Sequence, residues 1–165
     1  MTTIKDATVN DVHAIREIAE ETWWPSYGDI LPAGQIRYML DTLYNEEALV
    51  NLITTGHQQF VILHNNHGAQ GFASFAARPE NPTIYKVHKL YVLPARQGNG
   101  FGSMLLNDVK RRLLTFGVKT MELNVACKNT AACSFYQKVG FRIIREEEIP
   151  MGPYLLKDYV MQLTF

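Results

Sequence analysis

Between Leu90 and Leu106 the chain reads LYVLPARQGNGFGSMLL: an apolar run, a proline, a turn in which Gly98, Gly100 and Gly102 alternate, then apolar residues at helical spacing. No other stretch limits the fold as tightly. Pro94 has no N–H to offer a neighbouring strand and so closes the one before it. Glycines then let the backbone turn with its amides bared. A strand that passes into a helix this way gathers successive N–H groups and the positive end of the helix dipole at one place, which attracts anions. Each charge-assisted bond contributes about 1.5–3 kcal/mol, so a diphosphate can be held without lysines. The turn is not a Walker loop, because no Lys-Ser or Lys-Thr follows. Nor is it a dinucleotide fingerprint, because the spacing is GxGxG and no suitable acidic residue ends a following strand. A structural turn before a helix would also use one or two of these glycines, so the turn by itself leaves both readings open.

The rest of the chain supplies a frame. Residues 2–8 form a first strand, and Asn10-Asp11 cap a helix with Val12, Ile15, Ile18 and Ala19 on one stripe. That helix is expected to end near Trp23, with Trp24-Pro25-Ser26-Tyr27-Gly28 as a loop; helices at about 32–43 and 46–55 follow. The period then changes to two. Residues 59–63 and 71–76 flank the turn-forming His64-Asn65-Asn66-His67-Gly68, and a third strand runs from Thr83 to Leu93. Phe101, Leu105, Val109 and Leu113 mark a helix ending at Gly117, residues 121–125 alternate as a strand, residues 129–139 form a helix stopped by Gly140, and strands at 141–148 and 154–164 finish the chain. The order implies an α/β fold: one mixed sheet with helices on its faces, in a single domain spanning residues 1–165.

Charge narrows the partners. Sixteen basic and sixteen acidic side chains cancel, so nothing global draws the chain to nucleic acid or to an anionic membrane; a polyanion has to be bound locally. The N-terminus lacks a basic stretch followed by an apolar core, and no apolar run approaches the ~20 residues of a membrane span. A soluble, cytoplasmic protein is expected. Cys127 and Cys133 are the only cysteines, with no His or further Cys nearby to complete a metal site, and read as reduced packing thiols.

Gln97, Gly100 and Gly102 fit Q/R-x-x-G-x-G/A, the hallmark of the GNAT superfamily of acetyl-CoA-dependent N-acetyltransferases, which this chain resembles. A second segment agrees with it: Asn129, Ala132, Phe135-Tyr136 and Gly140-Phe141 stand at the family's usual spacings. The resemblance is strongest over residues 58–148. It implies that the strand around Leu90, Tyr91 and Val92 is bulged and splays from its neighbour near residue 124. In that V the pantetheine arm of acetyl-CoA lies against bare backbone, with the diphosphate on Gln97, Gly98, Asn99, Gly100, Phe101, Gly102 and Ser103. Asn129 would contact the CoA arm, and would equally serve as a helix N-cap.

Acetyl transfer to an amine needs a neutral amine, a polarised carbonyl and a proton for the departing thiolate. A primary amine of pKa ~10.4 is neutral about once in 2,500 molecules at pH 7, a handicap of roughly 4.6 kcal/mol. By resemblance Tyr136 is the general acid, and a packing aromatic is its bland alternative. Relatives carry Glu two residues before the Leu90 position, where this chain has His88, a candidate base; a surface or core histidine is the alternative. His57, His64 and His67 lie in or beside the hairpin turn and face water.

Residues 22–32 and the stripe Ile36, Met39, Leu40, Leu43 and Tyr44 resemble a branch that includes polyamine N-acetyltransferases. Trp24 and Tyr27, with Trp23 and Tyr154, would wall an alkylamine, or serve as ordinary core residues. Glu20, Glu21, Asp29, Asp41, Glu46 and Glu47 would form an acidic mouth, or simply be solvated helix faces. A small-molecule amine is the expected acceptor, and a peptide or protein N-terminus is the alternative. Two further readings are an acyl-CoA-binding sensor without turnover, against which Tyr136 argues, and a partner-binding scaffold or homodimer built on the two-tryptophan loop, which leaves the glycine turn unexplained. Neither cysteine has the His and Asp partners that a covalent acyl-enzyme would need.

Overall fold

The computed structural model describes residues 1–165. Strand β1 (Thr3–Asp6) leads through a 3-10 turn, closed by a capping box between Thr8 and Asp11, into α1 (Val12–Tyr27), α2 (Ala33–Leu43) and α3 (Glu46–Thr55). Strands β2 (Gln59–Asn65), β3 (Gly68–Arg78) and β4 (Asn81–Val92) follow, then α4 (Phe101–Thr115), β5 (Thr120–Ala126), α5 (Thr130–Val139), β6 (Arg142–Met151) and β7 (Tyr154–Thr164). The strands make one sheet in the order β1-β2-β3-β4-β5-β7-β6. Only β4 and β5 run parallel, joined by α4 as a crossover; every other neighbouring pair is antiparallel. No helix is long and apolar enough to cross a membrane.

Alternation along the strands splits the interior in two. Phe60 and Ile62 of β2 and Phe72 of β3 face α1, α2 and α3, where they meet Ile15, Ile36 and Leu49. Val61, Leu63, Ala73 and Phe75 face the other way, onto Leu105, Val109 and Leu113 of α4. The sheet is thus sandwiched between helices, as the order of elements implied.

Two local expectations are corrected. Helix α1 does not end near Trp23 but runs through Pro25 to Tyr27. The proline removes one helical bond, which lies on the solvent side at exposed Glu21, while buried Trp23 packs on Tyr27 with ring centroids 4.7 Å apart and holds the last turn. Tertiary packing here outweighs a penalty of about 3 kcal/mol. The β2–β3 turn is also tighter than expected, so His64 lies in the strand with its Nε2 buried and unpartnered rather than facing water.

Strand β4 carries the feature that positions the site. Ser74 pairs with Lys89 and Phe75 with Val87, so His88 is an extra residue, a β-bulge. The insertion reverses the alternation: Tyr85 and Val87 pack toward α4, whereas Lys89 and Tyr91 turn toward α1–α3. It also marks where the sheet opens. β4 pairs with β5 only from Ile84 to Val87, while β5 stays paired with β7 as far as Ala126. Leu90–Val92 and Asn124–Ala126 therefore diverge, as the family resemblance implied.

Candidate active site

The divergence opens a cleft of about 1210 Å³ that runs from the mouth of α4, between β4 and β5, to the side covered by α1, α2 and the β6–β7 hairpin. At its α4 end Gly98 and Gly100 have φ of 90° and 78°, a left-handed backbone that a side chain would strain. The first helical N–H with a partner is that of Met104, which donates to the Gly100 carbonyl at 3.0 Å; the amides from Gly98 to Ser103 have no turn or cap partner. Gly102 serves differently: a Cβ there would come 3.3 Å from Phe135 Cζ, so the missing side chain lets α4 and α5 close up. The Gln97 side chain donates to the Val92 carbonyl at 3.1 Å and fixes the turn to the strand end. Unpaired amides, a helix dipole and a surface without Cβ atoms fit a diphosphate.

Gly98, Gly100, Phe101, Gly102 and Ser103 line this end with Gln97, but Asn99 does not. Leu90, Tyr91 and Val92 line the middle, where the backbone edge of β4 that β5 no longer covers is open to a ligand. Asn129 reaches the same wall and caps α5 as well, its Oδ1 accepting from Ala132 N–H at 3.2 Å. One residue occupies both positions open to it in the sequence. Cys127 also borders the cleft, its thiol pushed up by burial and by Glu146, which together outweigh the opposing pull of Lys157.

Tyr136 projects from α5 into the cleft and packs edge-on against Phe135 and Phe141 at 5.3 and 5.7 Å. Burial, with the Tyr27 phenol adding to it, pushes its pKa well above the ordinary tyrosine range, so it holds its proton at neutral pH. His88 stands at the bulge, where the strands part. Although solvent reaches its ring, the crowding cleft walls, then Lys86, Lys89 and Arg78, push its pKa down to about 4. It is neutral at pH 7 and holds a proton weakly.

At the far end Tyr27 lines the cleft and its hydroxyl lies 3.2 Å from that of Tyr91. Trp24 does not line it: the adjacent Trp23 does, while Trp24 turns outward and donates to Glu20 at 3.3 Å, as follows from a helix that continues through this point. None of Glu20, Glu21, Asp29, Asp41, Glu46 and Glu47 borders the cleft, so the acidic mouth does not form. Glu20 and Asp41 are bound instead by Arg37 on the outer surface. On the face of the sheet that carries α1 and α2, the charges that line the cleft are Lys86, Lys89 and Asp158, none of which the sequence reading singled out. Lys89 is the most enclosed of them. Its Nζ donates to Gln58 Oε1 at 3.0 Å beneath the Tyr44 ring, and burial, then Lys86, lowers its pKa to about 8.

Comparison with known proteins agrees with this geometry. An N-acetyltransferase of Mycobacterium tuberculosis is 34% identical over 76 residues, 46% of this chain and 49% of the relative, so the match spans about half the relative's length. The spermidine N(1)-acetyltransferase of Thermoplasma acidophilum is 24% identical over 144 residues, 85% of this chain and 88% of that protein. Among solved structures, the PaiA N-acetyltransferase of Thermoplasma acidophilum in complex with coenzyme A superposes with a TM-score of 0.85 at 21% identity, over 100% of this chain and 99% of that one. The profile of the acetyltransferase (GNAT) family matches residues 15–141, most of the chain and both segments that shape the cleft, and the protein belongs to that family.

Proposed function

We propose that this protein is an N-acetyltransferase that moves the acetyl group of acetyl-CoA directly to the primary amine of a small molecule. One observation carries the reading: a single cleft joins the unpartnered amides at the mouth of α4 to the protonated phenol of Tyr136 and continues to an aromatic end. Gly98 to Ser103 hold the diphosphate of the cosubstrate, the open edge of β4 at Leu90–Val92 takes the pantetheine and orients the thioester carbonyl, and Asn129 steadies the arm. Tyr136 gives its proton to the thiolate as the C–S bond breaks. His88, neutral at pH 7 but with a pKa near 4, relays a proton better than it stores one.

The acceptor end is walled by Trp23, Tyr27 and Tyr44, which suits an alkyl or aralkyl amine. The spermidine N(1)-acetyltransferase relative supports that class. Thiol release from acetyl-CoA, measured with alkylamines, spermidine, amino acids and an alanine-starting peptide, tests it. Release with one of the small amines is expected; release with the peptide alone would overturn the small-molecule reading, and CoA binding without any release would make the chain a sensor.

A further inference from the structure

Asp158 sits in the middle of β7, a position where a charged residue is out of place unless something needs it. Alternation sends Tyr159 and Met161 into the core beneath α5, and turns Asp158, like Leu156, to the face that carries α1 and α2. There it borders the cleft, half-buried. Basic groups close to it in sequence or register are engaged elsewhere: Lys157 with Glu146 at 3.8 Å and Arg145 with Glu147 at 2.9 Å. Its one side-chain hydrogen bond is a long one, from Asn124 Nδ2 at 3.4 Å. Burial raises its pKa, the Asn124 bond and Lys86 pull it back down, and Glu147 raises it. Lys86 is thus near without pairing. The Tyr27 phenol, itself pushed up by burial, lines the same cleft and also feels the Asp158 charge.

A half-buried carboxylate with no ion-pair partner in contact is destabilised, and a cation entering beside it would relieve that. Asn124 lies on β5 just where that strand leaves β4, so the group that steers Asp158 belongs to the same opening that admits the thioester. We propose that Asp158 receives the ammonium of the acceptor and takes its proton, an assignment that rests on the primary-amine reading above. In the step, one N–H proton of the ammonium passes to the Asp158 carboxylate and the freed lone pair forms the N–C bond to the thioester carbonyl carbon. The C–S bond breaks with its electron pair on sulfur, which takes the Tyr136 proton. The second proton leaving nitrogen returns to the Tyr136 oxygen as the amide forms, and Asp158 releases its proton to water, so one amide, one thiol and one proton result.

The test compares full-length wild type with Asp158→Asn. Calorimetry of n-butylamine and spermidine on CoA-saturated protein should show at least ~10-fold weaker amine binding in the variant, about one decade of affinity. For whichever acceptor turns over, including the alanine-starting peptide, kcat/KM should fall ~10²–10⁴-fold, the range expected for loss of a proton acceptor. The KM for acetyl-CoA should stay within about threefold, since the thioester end is untouched. Asp158→Glu should recover part of the loss. Asn124→Ala, which removes only the group steering the carboxylate, should weaken amine binding in a folded protein if Asp158→Asn does not fold. Unchanged amine binding and kcat/KM in Asp158→Asn, or equal losses toward amine and acetyl-CoA, would overturn the proposal. Turnover of the peptide alone, with the loss still present in the variant, would instead sink the small-amine reading and keep Asp158.

Discussion

Tyr136, half-buried on α5, keeps its proton at neutral pH because its surroundings penalise ionisation, and in the proposed reaction that proton goes to the leaving thiolate. Tyr136→Phe keeps the ring packed on Phe135 and Phe141 and removes only the proton. Turnover should drop ~10²–10³-fold while the dissociation constant of acetyl-CoA moves less than about threefold, as measured by steady-state kinetics beside calorimetry. Lys89 gives a second residue-scale prediction. Its pKa is about 8 in the folded chain against an ordinary value of 10.5. Below pH 8 both states carry the proton and the burial cost is constant. Between 8 and 10.5 only the unfolded chain binds it, so the folded state gains stability as pH rises, up to about 3 kcal/mol. Lys89→Met should abolish that rise, and the difference between the two proteins' unfolding free energies at pH 7.5 and pH 11 measures it. Neither Lys89 nor Asp158 was legible in the sequence, because each one's exposure depends on which face of a strand it takes. For Lys89 a single inserted residue, His88, decides that face. Gly98, Gly100 and Tyr136 were legible as residues of one site, since the turn and the helix that carry them follow from local spacing and both line the cleft.

At the scale of elements, the strand–turn–helix unit from β4 to α4 is where the sequence spoke most clearly, and α1 where it misled. Turn chemistry is local and sits in a few residues, whereas the course of α1 past Pro25 depends on the ring of Tyr27 meeting that of Trp23 and on Tyr91 beyond it. Trp24 was assigned to the wrong surface for this reason. The glycine turn can be probed with an internal control. Gly100 and Gly117 open and follow the same helix with φ of 78° and 77°, and a Cβ at either meets nothing within 4 Å. Alanine at each should therefore cost a similar 1–2 kcal/mol or so in thermal unfolding. Only Gly100→Ala should also weaken CoA binding, about tenfold, because it tilts the amides that face the diphosphate. A loss of CoA affinity of the same size in Gly117→Ala would show that strain alone accounts for the effect.

Across the whole molecule, one sheet separates two cores, and the cleft passes between the strands that part. The mixed sheet and its helical layers were readable from the order of elements; the distribution of charge was not. Six acids on α1, α2, α3 and the loop after α1 were open in the sequence to two readings, a cationic substrate's landing place or solvated helix faces. Folding points them away from the cleft and ties two of them to Arg37. The cleft itself has Gly98 to Ser103 at one end and Tyr27 with the β6–β7 hairpin at the other. Under the direct transfer proposed above, cosubstrate and acceptor take separate ends of it. Either can arrive first, neither traps the other, and both must be present before anything reacts; initial rates plotted in double-reciprocal form against each substrate should give lines that cross rather than run parallel, and desulfo-CoA should compete with acetyl-CoA but not with the amine.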